Sequence, residues 1–448
     1  MNRRNSDLTT GPLARQILVF SLPLMLSNAL QVMFNMADVA VLGRFVGSNA
    51  LGAVGSTTIL VSLFTGLLIG MSAGINILTA LHIGAKHRRD VVRTIHTAAV
   101  VSLIYGMMLM VIGIVFARSI LELLHTKDEL IDDAVRYLRI YSLGMPGSAL
   151  YNFGNAVYSA AGNTRRPLVF LMMAGVVNVI LNLFFVLVVH MTVDGVALAS
   201  ITSQYISGIL LVTTLFFTKE NYRMRFSYLR HINGQKAKQI LGIGVPAGCQ
   251  NAIFALANLF IQYGVNSFDA VMVSGNSAAT NADALVYDTM AAFYTACASF
   301  MGQNLGAKNR ERVRNSYLIC LGYSFGLGLG LGLLLEIFGR QFLGCFTADA
   351  AVVDAGMKRL TIMGFSYCIS AFMDCTIYAN RAFGKSVVPM VIVILGSCVF
   401  RVAWVYTVFA WYRTIPSLYL LYSVSWILTG IAETLYFRHV YRERMALL

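Results

Sequence analysis

Charge is scarce in this sequence. Asp, Glu, Lys and Arg make up 12% of the 448 residues, and 57% of the residues are apolar. Soluble domains carry about 25% charged residues. So few charges cannot cover a water-soluble fold, and the composition points to a polytopic membrane protein. Cysteine is sparse as well. The seven cysteines all lie between Cys249 and Cys398, with no CxxC pair. That leaves no disulfide framework and no thiolate metal site, and the cysteines read as small apolar side chains. The sequence has no HExxH, no GxSxG and no carboxylate pair at a spacing useful for acid–base work, so no catalytic residue, metal ligand or cofactor is expected. Gly326, Gly328, Gly330 and Gly332 imitate a phosphate loop, but they lie inside an apolar run with no strand before them. The net charge of +14 sits in short patches between apolar runs, not in a long aromatic-interleaved surface, which argues against a nucleic-acid partner. A signal peptide is not expected, because the first apolar run is too long, contains Pro23 and Asp38 and has a counterpart in the second half.

The apolar runs themselves are plentiful. At about 20 residues per crossing, twelve spans are expected: 14–43, 50–80, 93–116, 134–158, 168–189, 195–217, 240–265, 283–304, 315–338, 359–380, 388–411 and 416–437. With the N-terminus inside, 24 of the 34 Lys and Arg fall in inner segments and nine in outer ones, and Arg401 lies within the membrane. This bias places both termini in the cytoplasm of a multi-pass inner-membrane protein. The chain also repeats. A shift of 222 lays Gly84-Ala85-Lys86 on Gly306-Ala307-Lys308, Arg88 on Arg310, Gly162 on Gly384 and Pro167 on Pro389, and a shift of 223 lays Pro23 on Pro246. Six spans per repeat give the halves the same orientation. The expected fold is an all-α membrane protein of two parallel six-helix repeats, forming two lobes around a central cleft. Residues 1–218 would form the N-terminal lobe, 219–239 a basic cytoplasmic linker and 240–448 the C-terminal lobe.

Between Ser21 and Arg44, Asn28, Gln31, Asn35 and Asp38 stand at i, i+3, i+7 and i+10, one stripe on a helix. A stripe ending in a carboxylate must face protein or water rather than lipid, and Pro23 bends the helix below it. In the repeat, Asn28 and Asn35 fall on Asn251 and Asn258, whereas Asp38 falls on Ile261. The polar stripe of Gln31, Asn35, Asn251 and Asn258 is expected to line a cavity, with the ion site in the N-terminal lobe. Arg401 needs a partner at its depth, first Asp374 and second Asp288, as a structural ion pair. The role of Asp288 is otherwise open. Glu336 and Glu433, near span ends, are expected to reach interface water or polar neighbours. Gly66, Gly70 and Gly74 form a small-residue ridge that admits a neighbouring helix.

These features together resemble the MATE (multidrug and toxic compound extrusion) transporters, and the prokaryotic DinF-like branch most. The proline-bent first helix ending in Asp38, the six-plus-six repeat, Gly162-Asn163-Thr164-Arg165-Arg166-Pro167, Gly384-Lys385-Ser386 and Gly302-Gln303-Asn304-Leu305-Gly306-Ala307 carry the resemblance, which extends over essentially the whole chain. It implies a secondary active antiporter that exports organic, often cationic, drugs or metabolites in exchange for protons, with sodium as the other ion. Its partners would be a small-molecule substrate and the lipid bilayer, and a monomer is expected. The alternative within the superfamily is a flippase for lipid-linked precursors, which would need several basic residues in the cavity where only Arg401 is seen. The resemblance also implies a cation-coupling site at Asp38, Asn178, Asn182 and Ser200. The branch's second Asp is here Asn182, which leaves one carboxylate and points to a proton. The NorM-like branch adds a Glu on span seven, absent here, and an Asp on span ten, where Asp374 lies. Depth supports the grouping independently: at 1.5 Å per residue, Asp38, Asn182 and Ser200 lie about 7–11 Å from the outer surface.

Overall fold

The computed structural model describes residues 7–446. All regular structure among the described residues is helical, as a bilayer requires of segments that must satisfy their own backbone hydrogen bonds. The first half contains α1 (Leu13–Val41), α2 (Ser48–Gly84), α3 (Arg88–Leu123), α4 (Asp128–Leu143), α5 (Met145–Ala160), α6 (Arg165–Leu183) and α7 (Val193–Phe217). The second half contains α8 (Gly234–Val265), α9 (Ala270–Gly306), α10 (Arg310–Gly344), α11 (Ala350–Gly364), α12 (Tyr367–Ala382), α13 (Val387–Val393), α14 (Phe400–Tyr406), α15 (Val408–Trp411) and α16 (Ile415–Ala446).

Among the described residues, nine helices are long and apolar enough to cross a membrane, or ten if α11 and α12, bent by 51° at their junction, count as one span. The rest of the expected twelve have physical explanations. The fourth span is two helices of 16 residues each, α4 and α5, meeting at Gly144. The eighth is α9, whose 37 residues include Asn276, Asn281, Asp283 and Asp288.

The repeat is written in the backbone as well as in the residues. Lys86 and Lys308 both adopt left-handed conformations (φ 56° and 57°), as do Gly162 and Gly384 (φ 79° and 78°). Each ends a helix by the same pair of bonds. His87 N–H donates to His82 and Lys86 N–H to Ile83, and their counterparts Asn309 and Lys308 donate to Asn304 and Leu305. Likewise Asn163 and Gly162 donate to Tyr158 and Ser159, and Lys385 and Gly384 to Asn380 and Arg381. These are Schellman closures, which satisfy the last carbonyls of a helix.

The chain forms two compact units. Among the described residues, one comprises Asp7 and residues 26–248, and the other comprises 8–25 together with 249–446. Both helices that change unit contain an internal proline, Pro23 in α1 and Pro246 in α8. In each the change falls two residues beyond the proline, at positions related by the repeat. These boundaries differ from the division expected at residues 219–239. That stretch is packed against the first unit: Met224 is buried in an apolar cluster with Ile95, Tyr158 and Ile240, Arg225 N–H donates to His96 at 2.9 Å, and Lys236 pairs with Asp90 at 3.3 Å. In the second unit, Arg312 holds the segment before α1, donating to the carbonyls of Gly11 and Leu8 at 2.9 and 3.1 Å.

The glycine ridge on α2 performs its expected task within the first unit. A β-carbon at Gly70 would come within 2.1 Å of the Gly248 backbone nitrogen, and one at Gly74 within 2.6 Å of the Ile240 carbonyl. Backbone against backbone is possible here because neither α2 position carries a side chain.

Candidate functional site

The carboxylate of Asp38, near the end of α1, faces α6 and α7 inside the first unit. Asn182 Nδ2 donates to Asp38 Oδ1, and Ser200 Oγ donates to Asp38 Oδ2 at 3.1 Å. The same Asn182 Nδ2 donates to Asn178 Oδ1 at 3.2 Å. Asn178, Asn182 and Ser200 are all buried. The four residues named from the sequence therefore converge, through three helices, on one carboxylate. The amides share a face because they stand one turn apart on α6. Immediately after them, Phe184–Val188 form a π-helical turn, and Leu42–Val46 form another just beyond Asp38. Such turns insert extra residues into a helix and recur at functional sites.

One acceptor in this cluster is unfilled: Asn182 Oδ1 is buried with no hydrogen-bond partner among the described residues. Two residues were missed by the sequence reading. Tyr137 and Tyr141 of α4 stack with ring centroids 5.8 Å apart, and both pack in the apolar cluster of Val41 and Leu42 that follows Asp38. Their i, i+4 spacing on an amphipathic helix is also the pattern of plain packing, so nothing local distinguishes them. Asn35 and Gln31 are exposed. Gln31 reaches Tyr151, and Asn35 makes no hydrogen bond to Asp38 among those described.

Ile261, the repeat counterpart of Asp38, is buried with Val265, Val405, Phe409 and Leu418, an apolar setting that would penalise a carboxylate. Asn251 is half-buried and Asn258 exposed on α8.

The second unit corrects the expected Asp374–Arg401 pair. No ion pair within 4.0 Å joins them among the described residues. Arg401 donates from Nε to Ser425 Oγ at 2.9 Å and sits among aromatic rings, 4.7 Å from the Tyr422 centroid, 5.6 Å from Phe254 and 5.8 Å from Trp426. Cation–π attraction offsets part of its desolvation. Asp374 is acted on by Arg381 and, more weakly, by Arg401. Arg381 is buried and donates to Gln250 Oε1 at 2.9 Å.

Among the described residues, the buried ion pair of this unit is instead Arg359 with Asp283. Arg359 also donates to Asn276 Oδ1, Tyr367 donates to Asp283, and the Tyr419 hydroxyl donates to Asn276 Oδ1 at 2.8 Å. Arg359, one of the nine charges assigned to outer segments, and Arg381, one of the 24 assigned to inner ones, are therefore both core residues, only 3% and 1% exposed. Glu433 is likewise fully buried and accepts from Asn380 Nδ2 at 2.9 Å rather than meeting water.

A family profile described as MatE matches residues 23–184 and, separately, 246–407. Among curated proteins, the chain is similar to "Probable multidrug resistance protein YpnP" of Bacillus subtilis (strain 168), 29% identical over 441 residues that cover 97% of this chain and 96% of that protein. It is also similar to "Probable multidrug resistance protein NorM" of Thermotoga maritima, 22% identical over 395 residues that cover 85% of this chain and 82% of that one. Among solved structures, that of a MATE protein in complex with MaL6 superimposes with a TM-score of 0.91 at 19% identity, covering 99% of both chains. Matched by the same profile in each of its halves over most of its length, this chain belongs to the MatE family.

Proposed function

We propose that this protein exports drugs or metabolites across the cytoplasmic membrane in exchange for protons, with Asp38 carrying the proton. The observation that carries the reading is the lone carboxylate of Asp38, bound by Asn182 and Ser200, in a chain whose relatives bear the name multidrug resistance protein. A carboxylate within a membrane span is costly to keep and is a functional site by default. Its repeat counterpart is an isoleucine in an apolar cluster, which confines the acid to one unit.

The hydrogen bonds suggest how a proton could be felt. Both partners of Asp38 donate to it, which suits an ionised carboxylate. Once protonated, one oxygen becomes a donor and needs an acceptor. The unfilled Asn182 Oδ1 can serve if the amide turns over, and that turn withdraws Nδ2 from Asn178 Oδ1. Protonation at α1 is thereby passed to α6. The equilibrium biased in this way is alternation of the two units between outward and inward access, with release of substrate outward upon protonation.

The test is transport in proteoliposomes under separately imposed proton and sodium gradients. Export driven by the proton gradient alone is expected. Export driven by a sodium gradient at fixed pH would overturn the proton assignment and make the cluster a sodium site.

A further inference from the structure

At the opposite end of α6 from the Asp38 cluster, the first unit has a second polar site of different chemistry. A cavity of about 490 Å³ opens where α6 begins and α7 ends. Arg165, Arg166 and Asn163 line it together with the apolar Val169, Phe170 and Phe217. We propose that this cavity seats the phosphate of an anionic phospholipid, with the arginines on the headgroup and the apolar wall along the start of an acyl chain.

Charge, shape and position each favour that occupant. Arg165 is exposed and has no hydrogen-bond or ion-pair partner among the described residues. Arg166 is held in place by its own surroundings: Nη1 donates to the Tyr158 hydroxyl at 3.2 Å, and the guanidinium lies 5.5 Å from that ring's centroid. Its remaining N–H groups are left for an acceptor, and a guanidinium fork matches phosphate oxygens. One acid, Glu220, lies in the field of Arg166, so the site keeps a net positive charge. Thr214 and Thr218 complete the lining; the Thr214 hydroxyl donates to the Leu211 carbonyl at 2.7 Å and meets the Tyr158 hydroxyl at 2.6 Å, and Thr218 Oγ1 accepts the Glu220 N–H at 3.4 Å. Among the lining residues the two arginines are the cations, and they supply the charge that would hold an anion.

The wall continues the amphiphilic pattern. Phe217 is 79% exposed and Val169 51% exposed, at the ends of two helices apolar enough to span a membrane, Arg165–Val188 and Val193–Phe217. That is the level of lipid headgroups, where basic pockets between spans take anionic lipids. The volume falls in the usual range for small-ligand pockets, about 300–1,000 Å³.

The repeat shows that the turn itself does not require the arginines. Gly162 and Gly384 share their left-handed turn and Pro167 matches Pro389, yet Arg165 and Arg166 fall on Val387 and Val388. The basic pair belongs to one unit only, although both use the same helix start.

The experiment uses the full-length purified protein, delipidated in detergent and titrated with phosphatidylglycerol, phosphatidylcholine, inorganic phosphate or glycerol 3-phosphate. Binding is read by native mass spectrometry and by the shift in melting temperature. Phosphatidylglycerol is expected to bind and raise the melting temperature, phosphatidylcholine to bind more weakly, and the soluble phosphates to have no effect. Replacing both arginines, Arg165→Gln with Arg166→Gln, should weaken phosphatidylglycerol binding by about tenfold or more. Filling the cavity by Val169→Trp should weaken it with the arginines intact, which separates loss of the site from misfolding of the charge variant. Equal binding by the wild type and both variants would overturn the proposal. A thermal shift from inorganic phosphate alone would also overturn it, by making this a free-anion site.

Discussion

Asp38 and Ile261 occupy equivalent places in the two repeats and have opposite surroundings: two hydrogen-bond donors around the acid and an apolar cluster around the isoleucine. Asp38→Asn should keep the fold and much of the substrate binding but abolish gradient-driven export, since the amide cannot carry the proton. Asp38→Glu should retain part of the activity with a displaced pH optimum, because the acid is kept at an altered depth. Both are checked by proton-gradient transport alongside melting temperature. The second unit allows a sharper test of pairing. Removing one partner of a buried ion pair costs about 3–5 kcal/mol, so Asp283→Ala and Arg359→Ala should each lower stability strongly. A double-mutant cycle on melting data should show coupling well above about 0.5 kcal/mol, the scatter found for independent sites. The corresponding cycle for Asp374→Ala and Arg401→Ala should show much weaker coupling, because Arg401 is held by Ser425 and three aromatic rings. If the second cycle coupled as strongly as the first, that assignment of partners would be wrong.

At the scale of the helix, the closures and close crossings depend on which residue lacks a side chain. Lys86 and Lys308 occupy left-handed positions where glycine is the unstrained choice. Lys86→Gly or Lys308→Gly should stabilise the protein by about 1 kcal/mol, and Gly384→Ala should cost about the same. Nothing lies within 4 Å of a β-carbon built at Gly384, so this cost would come from the backbone alone. Thermal melts of the three variants test the sign. Gly70→Ala is a different case, because its β-carbon meets the Gly248 backbone at 2.1 Å. Neither backbone can yield without moving a helix. A loss of about 1–3 kcal/mol or more is expected, visible as lower yield of folded protein, whereas Gly326→Ala on α10, with nothing within 4 Å, should be close to neutral.

For the whole molecule, the division into two units cuts across the order of the chain. Residues 8–25 belong with 249–446, and residues 234–248 belong with the first unit. A break introduced between Arg230 and His231 would leave each fragment holding a helical segment that its partner's unit needs. Separately expressed fragments should therefore be protease-sensitive, and co-expression should restore a resistant, transport-competent protein. A lone fragment that resists trypsin would contradict this. The two halves are thus repeats in sequence without each being a self-sufficient body.

The extent to which this molecule could be read from its sequence follows from the bilayer. A membrane span must close its own backbone hydrogen bonds, so each apolar run becomes a helix whatever surrounds it. Helix positions, the repeat with its matched loops at Lys86 and Lys308, and the confinement of the acid to one half were for that reason visible in the order of residues, whereas the Schellman closures were not read there. The convergence of Asp38, Asn178, Asn182 and Ser200 could be reached through depth and the resemblance together, because residues at one level on neighbouring spans are close. Pairing of side chains is not local in this way. Each residue along a helix turns by about 100°, so whether Arg401 faces Asp374 or a ring of aromatics depends on how α14 is rotated against α8 and α16. Packing of whole helices decides that rotation. Tertiary structure alone therefore brought Arg359 to Asp283, buried Arg381 and Glu433, packed Tyr137 and Tyr141 against Val41 and Leu42 at the end of α1, and gave the proximal halves of α1 and α8 to the units they join.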